Sequence, residues 1–334
     1  MAITFRNLPK GSAIGSGSYV FRHYGNEAPP DYLCFTAEQA GSTVAMAVNG
    51  TPTKGQAFEY STDGTNWSVF TPGTTTITLA NVGNKVYFRG DNTTVGESNS
   101  IYYKFVMSGK MAASGNIMSL LDKTCQSTTI SNKFCYYSMF RDCANLTTAP
   151  TLPATTLQSN CYNSMFNGCK SLTTAPALPA TTLAISCYDN MFNGCTSLTT
   201  APALPATKLA NDCYYYMFNS CTSLKTAPAL PATTLANGCY YYMFNGCKSL
   251  TTAPALPATT LKSNCYGSMF RGCISLQVYS SSGTGHTEAW RIPTSGSASS
   301  YTSQNQMFYN CPGSYKTKSS VSLNRTFYTQ NTPV

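Results

Sequence analysis

Cysteine is the residue type of this chain with the widest chemical range, because thiols can form disulfides, bind metals or act as nucleophiles. The sequence has 15 cysteines among 334 residues, and all but Cys34, Cys125 and Cys311 recur every 26 residues. The first series is Cys135, Cys161, Cys187, Cys213, Cys239 and Cys265, and the second is Cys143, Cys169, Cys195, Cys221, Cys247 and Cys273. No C-x-x-C motif occurs, so the spacing does not indicate a zinc site.

Two states of these thiols are compatible with the spacing. Equivalent cysteines on stacked repeats would lie about 5 Å apart, which is within reach of a disulfide. A buried reduced thiol instead packs as a small hydrophobic side chain. We favour reduced core thiols, with disulfides as the alternative.

Residues for other kinds of catalysis are scarce. The repeats contain no glutamate and, as aspartates, only Asp142, Asp189 and Asp212, whereas most glycosidases need two facing carboxylates. No phosphate loop or nucleophile elbow occurs. The segment from His286 to Trp290 is the one catalytic-looking patch, and we interpret it as a surface loop. We therefore expect no catalytic residues, metal or cofactor, and no enzymatic activity.

The elements that hold these residues follow from the repeat itself. In each repeat Cys161, Met165 and Cys169, or their equivalents, fall at i, i+4 and i+8, which predicts a short helix with one apolar face. Asn160 stands at the predicted helix N-cap, where its equivalents include Asp212. A short extended segment at 172–175 would follow, limited by prolines. Since one repeat cannot bury its own apolar side chains, the sequence predicts an α/β solenoid of stacked 26-residue repeats.

The repeat also resembles a known family. The order Phe-x-x-Cys-x-x-Leu-x-x-Ala-Pro-x-Leu-Pro-x-x-x-Leu resembles the BspA-like leucine-rich repeats, a class that includes surface adhesins. The sequence of residues 171–183 is similar to repeats in gut Bacteroidota and in tailed phages that infect them, crAss-like phages among them. This resemblance covers about half of the chain, and it implies a leucine-rich-repeat solenoid in a virion fibre or surface protein.

The rest of the chain divides around the repeats. We assign 1–32 to an N-terminal arm, 33–108 to an all-β, immunoglobulin-like sandwich, 109–276 to the solenoid with its N-terminal cap, and 277–334 to an insertion, a degenerate seventh repeat and a C-terminal cap. The strands of the sandwich are predicted at 33–36, 43–46, 58–60, 67–70, 76–79, 86–88 and 103–106. Trp67 is predicted to fill its core.

Composition limits the partners and the location. Charged residues are only 10% of the chain, and the net charge of +9 is spread without a lysine or arginine run, so we expect no nucleic-acid binding. No apolar segment suggests membrane insertion, and the N-terminus has no signal-like apolar stretch. A phage protein made in the host cytoplasm needs neither, and a reducing cytoplasm favours free thiols. A secreted bacterial adhesin, displayed on the cell surface, is the alternative.

The expected partners complete the hypothesis. Other virion proteins would bind through the arm, and a host surface polysaccharide or protein would bind the repeats. The resemblance to phage fibres implies a homo-oligomer, with a trimer favoured. Within the repeats, the two positions after each Cys-Tyr vary while the apolar positions hardly do, and Tyr, Asn and Ser there suit an adaptable binding surface. The alternative is that these positions are exposed and vary without a function. The predicted binding residues are Tyr215, Tyr216, Tyr241, Tyr242, Asn163 and Asp189, with Trp290 from the insertion.

Overall fold

The protein is built from β-strands and turns. A computed structural model describes residues 31–286, 288–291, 295–296, 306–317 and 326–329. Within those residues the only helical element is the short 3-10 helix Ile117–Leu120, so the chain is β-rich and the α-helical part of the predicted α/β solenoid is wrong. Almost the whole predicted arm, and part of the predicted insertion, lie outside the described residues.

Two antiparallel sheets form the region before the repeats. The strands are β1 (Leu33–Ala37), β2 (Ser42–Asn49), β3 (Phe58–Ser61), β4 (Ser68–Phe70), β5 (Thr76–Leu79), β6 (Lys85–Gly90), β7 (Tyr102–Ser108) and β8 (Met111–Ser114). The five-stranded sheet has the order β4-β3-β6-β1-β8 and the three-stranded sheet the order β5-β2-β7. All seven predicted strands are confirmed, because alternating apolar residues read correctly as half-buried strands.

The two sheets face each other through aromatic rings. Phe35 and Phe88 of the larger sheet lie 4.9 and 5.2 Å from Phe105 of the smaller one, centroid to centroid, in edge-to-face contact. Such contacts add about 0.5–1.5 kcal/mol each beyond the area they bury. The core of this region is therefore aromatic.

Trp67 lies outside that core, so its predicted role is wrong. It is half-buried on the outer face of the larger sheet, where the Arg89 guanidinium lies 3.9 Å from its ring centroid. Tyr32 packs edge-on against the same ring at 4.9 Å. Glu59 holds Arg89 in place with a 2.6 Å bond from Nε. A cation–π contact thus replaces core burial.

The repeats begin directly on this β-region. Phe105 stacks on Phe140 of the first repeat at 5.4 Å, and its N–H donates to the carbonyl of Met139. Strand β8 pairs with β1 on one side and bridges in parallel to Leu146 on the other. One hydrophobic core therefore runs from the sheets into the repeats.

We number the repeats from the residue before each first cysteine: repeat 1 begins at 134, repeat 2 at 160, repeat 3 at 186, repeat 4 at 212, repeat 5 at 238 and repeat 6 at 264. The predicted helix is replaced in each by overlapping turns. In repeat 2 the N–H of Met165 donates to Tyr162 O within the repeat at 3.2 Å, whereas the next N–H, of Phe166, donates to Met191 O of repeat 3 at 2.9 Å. Alternate amides thus close turns and join repeats, and both kinds of bond satisfy the buried backbone.

Left-handed residues recur at every fourth position of this turn segment. In repeat 2 they are Asn160, Ser164 and Gly168, with φ of +60°, +57° and +76°. Asn160 and Asp212 were predicted to be helix caps, and that prediction is wrong, because both residues reverse the backbone instead. The prediction failed because Asn, Asp, Ser and Gly suit either a cap or a left-handed turn.

Side chains of one type stack along the whole array. The phenylalanine ladder runs with centroid separations of 5.3–5.8 Å through Phe105, Phe140, Phe166, Phe192, Phe218, Phe244, Phe270 and Phe308. A parallel tyrosine ladder stacks at 5.6–6.0 Å through Tyr136, Tyr162, Tyr188, Tyr214, Tyr240 and Tyr266. On the side near the prolines, the repeats meet at single parallel bridges such as Thr174 to Thr200.

The second cysteine series lies beside the phenylalanine ladder as a row of thiol donors. Cys195 Sγ lies 3.1 Å from the carbonyl oxygen of Phe166, which also accepts the N–H of Cys169 at 3.1 Å. The same thiol-to-carbonyl contact recurs for Cys143, Cys169, Cys221, Cys247, Cys273 and Cys311 at 3.0–3.3 Å. Only a protonated thiol can donate, and burial raises the pKa of Cys143 to about 12.

We expect these thiols to be unreactive until the protein unfolds. Cys125 is half-buried while the other cysteines are buried, so a thiol reagent near about pH 8 should reach Cys125 alone in the folded protein. Burial, with the charges of Asp122 and Asp31, raises the pKa of Cys125 to about 11, so even that reaction should be slow.

The measurement is a thiol titration of folded and denatured samples without reductant. The denatured sample should titrate close to all 15 cysteines. A value well below that would mean that disulfides had formed, which would contradict the thiol ladder and favour the secreted alternative.

The far end of the array is closed by further strands. Met307 accepts the N–H of Phe270, and Phe308 continues the phenylalanine ladder at 5.8 Å, as a repeat would after 38 residues instead of 26. Strand β13 (Thr326–Thr329) pairs with β10 (Val278–Tyr279) and β11 (Glu288–Arg291), and it places Phe327 against Phe308. A parallel pair joins β9 (Thr260–Leu261) to β12 (Ser295–Gly296).

Candidate functional site

The variable positions form columns across the turn segments of the repeats. Because backbone bonds join each turn segment to the next, residues 26 apart lie side by side. One column contains Tyr137, Asn163, Asp189, Tyr215, Tyr241 and Gly267, and the next contains Ser138, Ser164, Asn190, Tyr216, Tyr242 and Ser268. Six of the seven predicted binding residues therefore share one surface.

Four of them form what we call the tyrosine cluster: Tyr215, Tyr216, Tyr241 and Tyr242. Tyr216 and Tyr242 stack in parallel at 4.6 Å, and Tyr215 and Tyr241 stack at 5.1 Å. A tilted contact of 4.7 Å between Tyr215 and Tyr216 and an edge contact of 4.6 Å between Tyr241 and Tyr242 join the two stacks. All four side chains are half-buried rather than fully exposed, because each ring covers its neighbour.

Two of the four tyrosines occupy an unfavourable backbone conformation. Tyr216 and Tyr242 have φ of +52° and +54°, where four other repeats have Ser or Asn. A left-handed residue with a large side chain costs roughly 1–2 kcal/mol. Strain of this kind concentrates at functional sites. Nothing in the fold requires an aromatic ring at these positions, since serine occupies them in repeats 1, 2 and 6.

A basic residue borders the cluster. Arg271 Nη1 lies 3.4 Å from the Tyr242 hydroxyl, and its guanidinium lies 5.5 Å from the centroid of Tyr309. Hydrogen bonding to Ser268, and then to Arg271, lowers the pKa of Tyr242. Burial raises the pKa of Tyr216 to about 12. The cluster therefore offers neutral hydroxyl groups and one cation.

Asn163 and Asp189 lie beside the cluster in what we call the Asp189 patch, which consists of Asn163, Ser164, Asp189 and Asn190. Asn163 Nδ2 donates to Asp189 Oδ2 at 3.1 Å, and Asn190 Nδ2 donates to Oδ1 at 2.6 Å. Ser164 Oγ donates to Asn163 Oδ1 at 2.8 Å. Both carboxylate oxygens thus accept amide hydrogens, and the part of the chain that the structure describes places no ion-pair partner on Asp189.

A longer amide chain leads into this patch from the neighbouring repeats. Asn245 donates to Asn219 at 2.6 Å, Asn219 to Asn193 at 2.8 Å, and Asn193 to Asn190 at 2.8 Å. The ionised Asp189 can only accept, so it fixes the direction of every amide behind it. Aligned dipoles of this kind strengthen one another. Ser164 and Asn190 occupy the variable positions but were not among the predicted binding residues. The amide chain was not predicted, although the recurrence of Asn every 26 residues was a usable signal.

Burial raises the pKa of Asp189 to about 7, with the charge of Asp212 adding to the effect, while the bonds from Asn190 and Asn163 oppose it. Its charge in turn contributes, after burial and neighbouring tyrosines, to the raised pKa of both Tyr137 and Tyr215. The carboxylate therefore lies in a weakly solvated position within electrostatic reach of both phenols.

This pKa gives Asp189 an expected effect on stability. The folded pKa is above the ordinary value of 3.8, so Asp189 stabilises the fold below about pH 4, and that contribution is lost as the pH rises through about 7. The loss should amount to about 2–4 kcal/mol. The side chain in Asp189→Asn cannot ionise, so the variant should not lose this stability. Between about pH 4 and pH 8, the free energy of unfolding of the wild type should therefore fall by this amount relative to that of the variant.

Urea unfolding of both proteins at the two pH values measures this difference. The same substitution at the exposed Asp91 is the matched control and should leave the wild-type pH dependence in place. An Asp189→Asn variant with the full wild-type pH dependence would show that Asp189 is ionised normally in the fold.

The remaining predicted residue, Trp290, does not belong to the columns of variable residues. It belongs to β11, where its backbone pairs with Phe327. The loop interpretation of the patch from His286 to Trp290 is wrong for its second half, because β11 begins at Glu288 and pairs with β13. His286, from the same patch, stacks on Tyr279 at 3.9 Å and lies near the Thr284 carbonyl at 3.1 Å.

Among the residues that the structure describes, no group of three or more His, Cys, Asp or Glu side chains could hold a metal ion. No helix that the structure describes is long and apolar enough to cross a membrane.

Comparison with protein-family models, with curated proteins and with solved structures found no match to this chain.

Proposed function

We propose that the protein is a non-enzymatic component of a phage virion, in a head or tail fibre, that attaches to the host surface through its repeats. The observation that carries this proposal is the tyrosine cluster, in which two aromatic residues occupy strained left-handed positions that serine fills elsewhere. Natural sequences retain such strain where binding needs it. Tyrosines offer large contact area at low entropic cost, with hydroxyls that bond polar ligands.

We further infer that the repeats are a BspA-like leucine-rich-repeat solenoid and that the two sheets are an immunoglobulin-like sandwich. The 26-residue period and the shared order of Phe, Cys, Leu and Pro support the first inference. The number of antiparallel strands and their face-to-face aromatic contacts support the second.

Partners and location follow from the same proposal. The N-terminal arm binds other virion proteins and joins copies of the chain, with a trimer favoured. The protein is made in the host cytoplasm and acts at the virion surface, where the repeats contact a host polysaccharide or protein. The charge distribution, without a lysine or arginine run, supports partners other than nucleic acid.

A secreted bacterial adhesin of the same family is the second candidate, because BspA-like repeats also occur in such proteins. Mass spectrometry of purified virions separates the two. Full-length protein in the particle supports the virion component, whereas its recovery only from the bacterial surface supports the adhesin.

The attachment role is tested by replacing all four residues of the tyrosine cluster with serine. Attachment of purified protein to host cells and to immobilised surface polysaccharide should fall at least tenfold. Loss of ring stacking should lower stability by about 1–3 kcal/mol, partly offset where serine relieves the strain at 216 and 242.

The matched control is Tyr87→Ser, which removes another half-buried tyrosine from the β-region. It should leave attachment unchanged. Undiminished attachment by a folded four-serine variant would contradict the proposed role of the cluster.

A further inference from the structure

The Asp189 patch has its own chemistry, distinct from the aromatic stacking of the tyrosine cluster. Along its column the patch separates Tyr137 from Tyr215, which lie three repeats apart. At about 4.8 Å per stacked backbone, that separation is roughly 14 Å. Between the two tyrosines the column carries only the smaller Asn163 and Asp189, so the patch is a polar interval between aromatic side chains.

The polar groups of this interval are held in place before any ligand arrives. Asn163 and Ser164 are only 8% and 7% exposed, and their side chains bond one another and Asp189. The amide chain through Asn190 ends on the same carboxylate. A ligand would therefore meet fixed donors and acceptors, which lowers the entropic cost of binding.

The pattern of these groups indicates a ligand class. Asn190 donates one N–H to Asp189 and accepts one bond from Asn193, which leaves a second donor and a second acceptor for a ligand. Asn163 donates both of its N–H groups, to Asp189 and to Asn160, so it helps to hold the carboxylate in place. Hydroxyl groups of a sugar are likewise donors and acceptors at once. Tyrosine rings at both ends can cover the apolar face of a sugar ring.

We propose that the Asp189 patch is a subsite for one neutral hexose unit of a surface glycan, with Asp189 and Asn190 bonding its hydroxyl groups between Tyr137 and Tyr215. This inference rests on the proposed attachment function and specifies its substrate class. The tyrosine cluster binds the continuation of the glycan, and the patch selects the unit beside it.

The test uses full-length protein and two simple probes, methyl α-mannopyranoside and methyl β-galactopyranoside. Binding of each probe is measured by ligand-observed NMR titration. A monosaccharide of this size should bind with a dissociation constant of about 1 mM at best. Asp189→Asn replaces one of the two carboxylate oxygens, which accept bonds from the amides, with an NH₂ donor. It should raise the dissociation constant of the hexoside that binds the wild type more tightly at least tenfold. Asp212→Asn makes the same change in the next repeat, outside the amide chain, and should stay within twofold of wild type.

Three outcomes overturn the subsite: neither hexoside binds, Asp189→Asn binds as well as wild type, or the patch binds calcium ions instead and loses them in Asp189→Asn. The proposed function is judged separately, by cell attachment of the four-serine variant. If the four-serine variant attaches weakly and Asp189→Asn binds hexosides normally, the subsite is contradicted and the attachment function is supported.

Discussion

Replacing Phe192 with alanine should lower the free energy of unfolding by about 3–5 kcal/mol. The ring is fully buried in the centre of the phenylalanine ladder, 5.6 Å from Phe166 and 5.7 Å from Phe218 with nearly parallel planes. Backbone bonds on both sides fix the repeat spacing, so the neighbouring rings cannot close the cavity. Urea unfolding followed by circular dichroism measures the loss.

Tyr188→Phe is the control for this substitution in the same repeat. The Tyr188 hydroxyl is buried, and no residue in the part of the chain that the structure describes forms a hydrogen bond with it, which costs about 1–3 kcal/mol. Removing the hydroxyl should therefore leave stability unchanged or raise it. A loss in Tyr188→Phe as large as that in Phe192→Ala would show that the tyrosine hydroxyl is bonded and that the ladder is packed differently.

The period and the core were predictable from the sequence because both depend on composition at fixed intervals. Stacked repeats place identical side chains beside one another, so Cys161, Phe166 and their equivalents had to share an interior once the 26-residue period was seen. Strands of the β-region were predictable for a similar reason, since β6 alternates buried residues with exposed or half-buried ones along Lys85–Gly90.

The helix could not be excluded in the same way. Apolar residues at i, i+4 and i+8 fit one face of a helix, but they fit equally a backbone that reverses every four residues. Asn160, Ser164 and Gly168 carry the positive φ that distinguishes the two. Their residue types permit that conformation without requiring it, and Tyr216 adopts it against its own preference.

The surface was only partly predictable. Variation between repeats identified Tyr215, Tyr241 and Asp189 as residues free of core packing. The convergence of amides on Asp189 depends on which side chains of neighbouring repeats point toward one another. That information comes from the left-handed turns, which the sequence did not predict.

Removing one whole repeat, residues 185–210, should leave a folded protein with a cooperative unfolding transition. The deletion joins Ala184 to Asn211, and this junction is again Ala-Asn, because Ala210 precedes Asn211 in the wild-type chain. The amide of Tyr162 then meets Cys213 instead of Cys187, with identical partners on both ladders. The stability of a stacked array is approximately a sum over repeats and their interfaces, so only one repeat and one interface are lost.

Removing half as much, residues 185–197, should be far more damaging, because it joins Ala184 to Leu198 and deletes a turn segment while keeping its extended partner. The ladders are then interrupted, and circular dichroism should show loss of the cooperative transition. The whole-repeat deletion also removes Asp189 while it keeps the tyrosine cluster. It should therefore retain attachment to cells and lose hexoside binding, and a folded half-repeat variant of normal stability would contradict the stacked arrangement itself.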